Sequence, residues 1–98
     1  MRRVTVELPT WIGKEEAQEE VIRDLRARAV LKMEYYRSKV RLFESKHATT
    51  FARFQRRVEK APAEDPAAWD DLIEWEAHHR AHQQWKKRHA ELRRWSQK

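Results

Sequence analysis

The chain has 98 residues, 39% of them charged, a net charge of +6 and no cysteine. The absence of cysteine excludes a disulfide framework and a thiolate metal site. No apolar run is long enough for a membrane span or a secretory signal, so a cytoplasmic protein with no membrane partner is expected. One glycine (Gly13) and three prolines interrupt the chain. That economy favours a mainly α fold built from long helices, in one domain covering 1–98.

Residues 1–9 read as an arm. Val4, Val6 and Leu8 alternate with Thr5 and Glu7 before Pro9, a period-2, β-branched pattern with no second copy in the chain. A lone strand cannot pair its own N–H and C=O groups. The arm is therefore expected to pair as a β-strand with another chain.

A helical pattern follows from Lys14 to about Lys46. Its apolar stripe is Val21, Leu25, Ala29, Met33, Tyr36, Val40, Phe43 and His47. Glu15, Glu16, Glu19 and Glu20 suit the positive end of the dipole. Glu19 with Arg23, and Asp24 with Arg28, have ion-pair spacing. Leu31, Tyr35 and Leu42 form a second, narrower strip that a single hairpin partner does not cover. His47 to Thr50 reads as a turn, with Thr50 or Thr49 capping a short helix from Phe51 to about Lys60. Ala61-Pro62-Ala63-Glu64 reads as a linker. Asp65-Pro66 starts the last helix, which runs to about Trp95 with its acids early and its bases late. Trp69, Leu72 and Ile73 mark its expected buried face, which drifts toward Ala77, Ala81, Trp85, Leu92 and Trp95. Short connections then give an antiparallel hairpin of two long helices plus one short helix. Two such hairpins form a homodimer if their arms pair across a two-fold axis.

The residues expected to meet a protein partner are Val4, Val6 and Leu8 by strand addition. Trp69, Trp75 and Trp85 are the expected aromatic anchors. The alternative is a nucleic-acid-binding module. From Gln83 to Lys98 the chain carries a net +5 interleaved with Trp85 and Trp95. Lys86, Lys87, Arg93 and Arg94 would meet phosphates. The arm's Val-Thr-Val-Glu-Leu-Pro is similar to the ribbon of ribbon-helix-helix DNA binders, which would turn Arg3, Thr5 and Glu7 to the bases. Those proteins have two short helices, and the first helix here is far longer.

Four histidines crowd the last helix. His78 and His82 are four residues apart, His79 is adjacent, and His89 follows one heptad after His82. Two imidazoles at that spacing can share a metal, but no third ligand lies at a diagnostic spacing, the nearby Glu74 being the one candidate. The segment reads as a polar-aromatic packing face, with no metal and no cofactor. Asp70 and Asp71 diverge by about 100° on a helix and cannot act as a dyad. Ser38, Ser45 and Ser96 sit in no nucleophile motif. No enzymatic activity is expected.

Three tracts carry a family likeness: Val6-Glu-Leu-Pro-Thr-Trp-Ile-Gly13, Tyr35-Tyr-Arg-Ser-Lys-Val-Arg-Leu-Phe-Glu-Ser-Lys46 and Trp69-Asp-Asp-Leu-Ile-Glu-Trp-Glu-Ala77. They resemble small uncharacterised helical proteins of bacteria and archaea encoded beside TumE-like toxins. Thr49-Thr-Phe-Ala-Arg-Phe54 fits the Ser/Thr-Phe-x-x-Phe start of that family's short helix. The resemblance implies an antitoxin component that occludes a cognate toxin encoded nearby. If that toxin is basic, Glu15 to Glu20 and Asp70 to Glu76 are its expected acidic counterpart, although the chain's own +6 works against that pairing.

Overall fold

A computed structural model describes residues 7–60 and 65–96. It contains α1 (Lys14–His47), α2 (Phe51–Lys60) and α3 (Pro66–Ser96). Gly13 sits extended (φ −75°, ψ 155°), and its carbonyl accepts the Ala17 N–H at 2.9 Å to open α1. Glu15 and Glu16 fill the first turn. α1 ends where Ala48 enters the left-handed region (φ 51°, ψ 41°) and its N–H returns to the Glu44 carbonyl. A non-glycine residue there carries a steric cost. Ala48→Gly is therefore expected to stabilise the fold by about 0.5–1 kcal/mol, read as an upward shift in the thermal midpoint.

The next two starts are capped as their residue types demand. Thr50 Oγ1 accepts the Arg53 N–H at 3.4 Å, a long cap. Asp65 Oδ1 accepts the Ala68 N–H at 3.1 Å with Pro66 at the first helical position.

α1 and α3 lie antiparallel, and α2 packs on the early part of α3. Charge supports this orientation. The acid-rich start of α1 lies beside the base-rich end of α3, and the basic end of α1 beside the acidic start of α3. Lys46 Nζ reaches Asp71 Oδ2 at 2.7 Å across that second junction. The i,i+4 pairs expected at Glu19–Arg23 and Asp24–Arg28 do not close. Glu76–Arg80 does, at 2.6 Å.

The core is confined to the end where α2 packs. Phe54, Val58, Leu72 and Trp75 are buried there, with Val40, Phe43, Phe51 and Ala68 against them. Ala29 is fully covered midway along α1. Toward the start of α1 Ala17 is also buried, but Val21 and Leu25 between them are exposed. The molecule is a rod of 63 × 26 × 20 Å with a radius of gyration of 19.7 Å. A compact chain of this length has about 13 Å.

Several expectations need correction. Trp69 and Ile73 are exposed, and the buried residues of early α3 are Leu72 and Trp75. α2 covers the Leu72–Trp75 side, and Ile73 lies about 100° round the helix from Leu72. Trp75 is 0% exposed and belongs to the core, so it is not a partner anchor. Val4 and Val6, with Arg3 and Thr5, lie outside the described residues. Leu8 is described and lies in neither helix nor strand, and there is no strand among the described residues.

Candidate functional site

Aromatic and imidazole rings fill the seam between α1 and α3. Phe43 stacks on Trp75 with centroids 5.7 Å apart. His47 lies 4.1 Å from the Phe54 ring and 6.0 Å from Trp75. His78 meets Tyr36 and Phe43 of α1, whereas His79 stacks on Phe51 of α2 at 5.1 Å. The crowded histidines thus serve two different helix contacts. Among the described residues no three potential ligands gather around a metal position.

Two groups of this seam titrate abnormally. Asp71 takes hydrogen bonds from Lys46 and from His47 Nε2, the latter at 2.8 Å. The Lys46 bond leads in holding its carboxyl below the ordinary value of 3.8, against the opposing effect of burial. His82 is pushed below 6.5, first by burial and then by the charges of Lys86, Arg37 and His79. In both cases the folded pKa lies below the unfolded one. The unfolded chain then binds more protons, and stability is lost as pH falls. The thermal midpoint is expected to decline in two stages, one beginning below about pH 6.5 and one below about pH 4. His82→Gln should remove the first stage and leave the second, as measured by melting between pH 8 and 3.

The open end of the hairpin is different in kind. Leu8, Ala17, Val21 and Leu25 face Leu92 and Trp95 across a groove of about 660 Å³. A shallower extension of about 330 Å³ continues past Trp85 and Arg88. Val21 is 57% exposed and Leu25 41%, although both belong to the stripe that packs well further along α1. Trp11, on the connector before α1, is 80% exposed. Side chains of this type are normally covered in a stable protein, and contiguous apolar openings mark interaction surfaces.

The residues expected from sequence to bind a partner scatter over the rod. Leu8 lies at the lip of the groove and Trp85 in its extension, with the Arg88 guanidinium 4.6 Å over the Trp85 ring. Trp69 lies at the opposite end beside Ile73. The acids do not form one surface either, because antiparallel packing sends Glu15 to Glu20 and Asp70 to Glu76 to opposite ends. The α3 cations Lys86, Lys87, Arg93 and Arg94 lie within about 120° of arc, away from the side that carries Trp85. Those four cations and the stacking rings thus lie on different sides of α3, and only Arg88 among the α3 cations shares the side of Trp85 and Trp95.

Sequence reading placed Val21, Leu25, Leu92 and Trp95 in a packed seam. The available signal was the poor match between the two stripes. α1 offers an apolar residue at every turn, but beyond Trp85 the large apolar residues of α3 are only Leu92 and Trp95 among its charges. A further stripe, of cations on α2, was also passed over.

In comparison with known proteins, the chain matches no family model, no curated protein and no solved structure.

Proposed function

We propose that this chain is a non-enzymatic binding partner, the antitoxin half of a toxin–antitoxin pair, that holds an apolar helical segment of its toxin in the open-end groove. One observation carries the reading: the rod leaves far more surface than a compact fold of its size, with Val21, Leu25 and Trp95 among its exposed apolar side chains. Its accessible area is 8627 Å². A compact 12.0 kDa protein exposes about 6,000 Å². The excess of about 2,600 Å² is comparable to what one partner covers in an obligate complex. From Lys14 to Leu25 the α1 wall of the groove is about 17 Å long, room for about three helical turns of a ligand helix. An amphipathic segment with apolar residues at i, i+3 or i+4, and i+7 fits such a wall. The arm residues Val4 and Val6, which precede Leu8 in the sequence, would add further cover by strand pairing.

The test is co-expression with the product of the adjacent reading frame. A stoichiometric complex by size exclusion with light scattering, together with relief of that product's growth arrest, is the expected result. No complex and no relief would refute the antitoxin reading. A stable homodimer of the isolated chain that loses its self-association when Val21 and Leu25 are charged would instead assign the groove to a second copy.

A further inference from the structure

We propose that α2 carries a docking site for the phosphate backbone of a nucleic-acid duplex, formed by Arg53, Arg56, Arg57 and Lys60. These four stand at i, i+3, i+4 and i+7 and share about 100° of the helix circumference. The opposite side of α2 holds Phe51, Phe54 and Val58, which are spent on the core against Trp75 and Leu72. The cationic side is therefore turned outward by the same packing that fixes the helix. Among the described residues none of Arg53, Arg56 and Lys60 has an acidic partner. Arg57 lies 5.2 Å over the Phe54 ring, and the nearby Glu59 is engaged by Gln55 at 3.3 Å.

Folding alone does not account for this stripe. A cation in the last turn suits the helix dipole, which explains Arg57 and Lys60. Arg53 sits in the first turn, where the dipole disfavours a cation, and that turn has no acid. Like charges three and four residues apart also destabilise a helix, and the stripe contains four such pairs. The α3 cations contrast with this, because they end a helix and lie beside the acid-rich start of α1. An anionic partner compensates what the stripe costs the short helix.

The chemistry selects the partner. Three of the four are arginines, whose planar fork matches phosphate oxygens two at a time. The stripe spans about 10 Å, over which a duplex presents about six phosphate charges. No aromatic side chain lies among the cations, so the site grips backbone and does not stack bases. A membrane surface is disfavoured, since a surface helix binds lipid through its apolar side and that side is already buried in the core. The groove at the open end is about 40 Å away along α1, so both surfaces can be occupied together.

The experiment is fluorescence anisotropy of a labelled 20-base-pair DNA duplex of mixed sequence with the full chain, from 50 to 200 mM KCl. Four phosphate contacts give a slope of log affinity against log salt of about −3.6, or on the order of a hundredfold loss across that range. Arg53→Gln alone should make the slope shallower by about 0.9. The quadruple α2 variant to Gln should lose at least tenfold in affinity at about 100 mM salt and most of the slope. Lys86→Gln with Lys87→Gln and Arg94→Gln on α3 should cost less than about threefold. The Arg53→Lys, Arg56→Lys, Arg57→Lys triple variant keeps the charge and should keep the slope, which separates lost contacts from lost helix. No duplex binding at 50 mM salt, or α2 variants that bind as the parent does, would overturn the proposal. So would polyglutamate competing as well as duplex at equal charge, since the occupant is then an acidic protein. None of these readouts involves the open-end groove, so this proposal and the antitoxin reading fail separately.

Discussion

Trp75→Ala is expected to leave the chain largely unfolded at 25 °C. Trp75 is fully buried and touches Phe43, His47, Phe51 and Phe54 in a core cluster whose other buried side chains, among the described residues, are Phe54, Val58 and Leu72. Removing a buried Trp costs about 3–5 kcal/mol, because the transfer energy is lost and the surroundings collapse only in part. A chain of this length has about 5–15 kcal/mol of total stability, and a rod with its core at one end belongs low in that range. Guanidinium titration followed by helical circular dichroism should show the midpoint move to near zero denaturant. Trp75→Phe is the informative companion. The indole Nε1 is buried without a hydrogen-bond partner among the described residues. Such an orphan donor costs about 1–3 kcal/mol, and Phe removes it while keeping most of the ring. Its loss of volume opposes that gain at about 0.8 kcal/mol per buried methylene equivalent. The two nearly cancel, so Trp75→Phe should lie within about 1 kcal/mol of the parent. A Phe variant as unstable as the Ala variant would show that shape alone sets the cost.

Val21→Glu combined with Leu25→Glu is expected to abolish partner capture while the isolated chain still folds. Both side chains are substantially exposed, so the new carboxylates remain solvated and helix propensity is kept. In the complex the same carboxylates would be buried against apolar groups, a penalty of several kcal/mol. That converts to a loss of at least a thousandfold in affinity. Calorimetric titration against the purified partner reads the loss, and an unchanged melting curve shows that the fold is intact. Retained binding would place the interface elsewhere, with the outward strip of Leu31, Tyr35 and Leu42 the next surface to charge.

The helices were legible because their signals are local. Gly13, Thr50 and Asp65-Pro66 announce starts by backbone and capping chemistry that needs no tertiary partner. The stripe from Ala29 to His47 kept its period because α3 runs along it, with α2 added at His47. Which residues of early α3 go inside was not legible in the same way. Trp69, Leu72, Ile73 and Trp75 are all apolar and spread over about 160° of the wheel, and only the positions of α1 and α2 together select Leu72 and Trp75. The histidines looked like one cluster in sequence. In the fold His78 and His79 point to different helices, because neighbours on a helix diverge by about 100°.

Periodicity, caps and charge order act over a few residues or along one helix, and they suffice for three helices near their observed limits and for the outward strip of α1. Where the core stops was set by packing between distant segments. The same α1 stripe is packed from Ala29 to His47 and open at Val21 and Leu25, because α2 closes one end of the hairpin and nothing described closes the other. That packing also decided that Trp75 is core and that the α2 cations face outward. Each of those outcomes depends on which side of a helix its neighbours occupy, a relation between segments distant in the chain that no local pattern encodes.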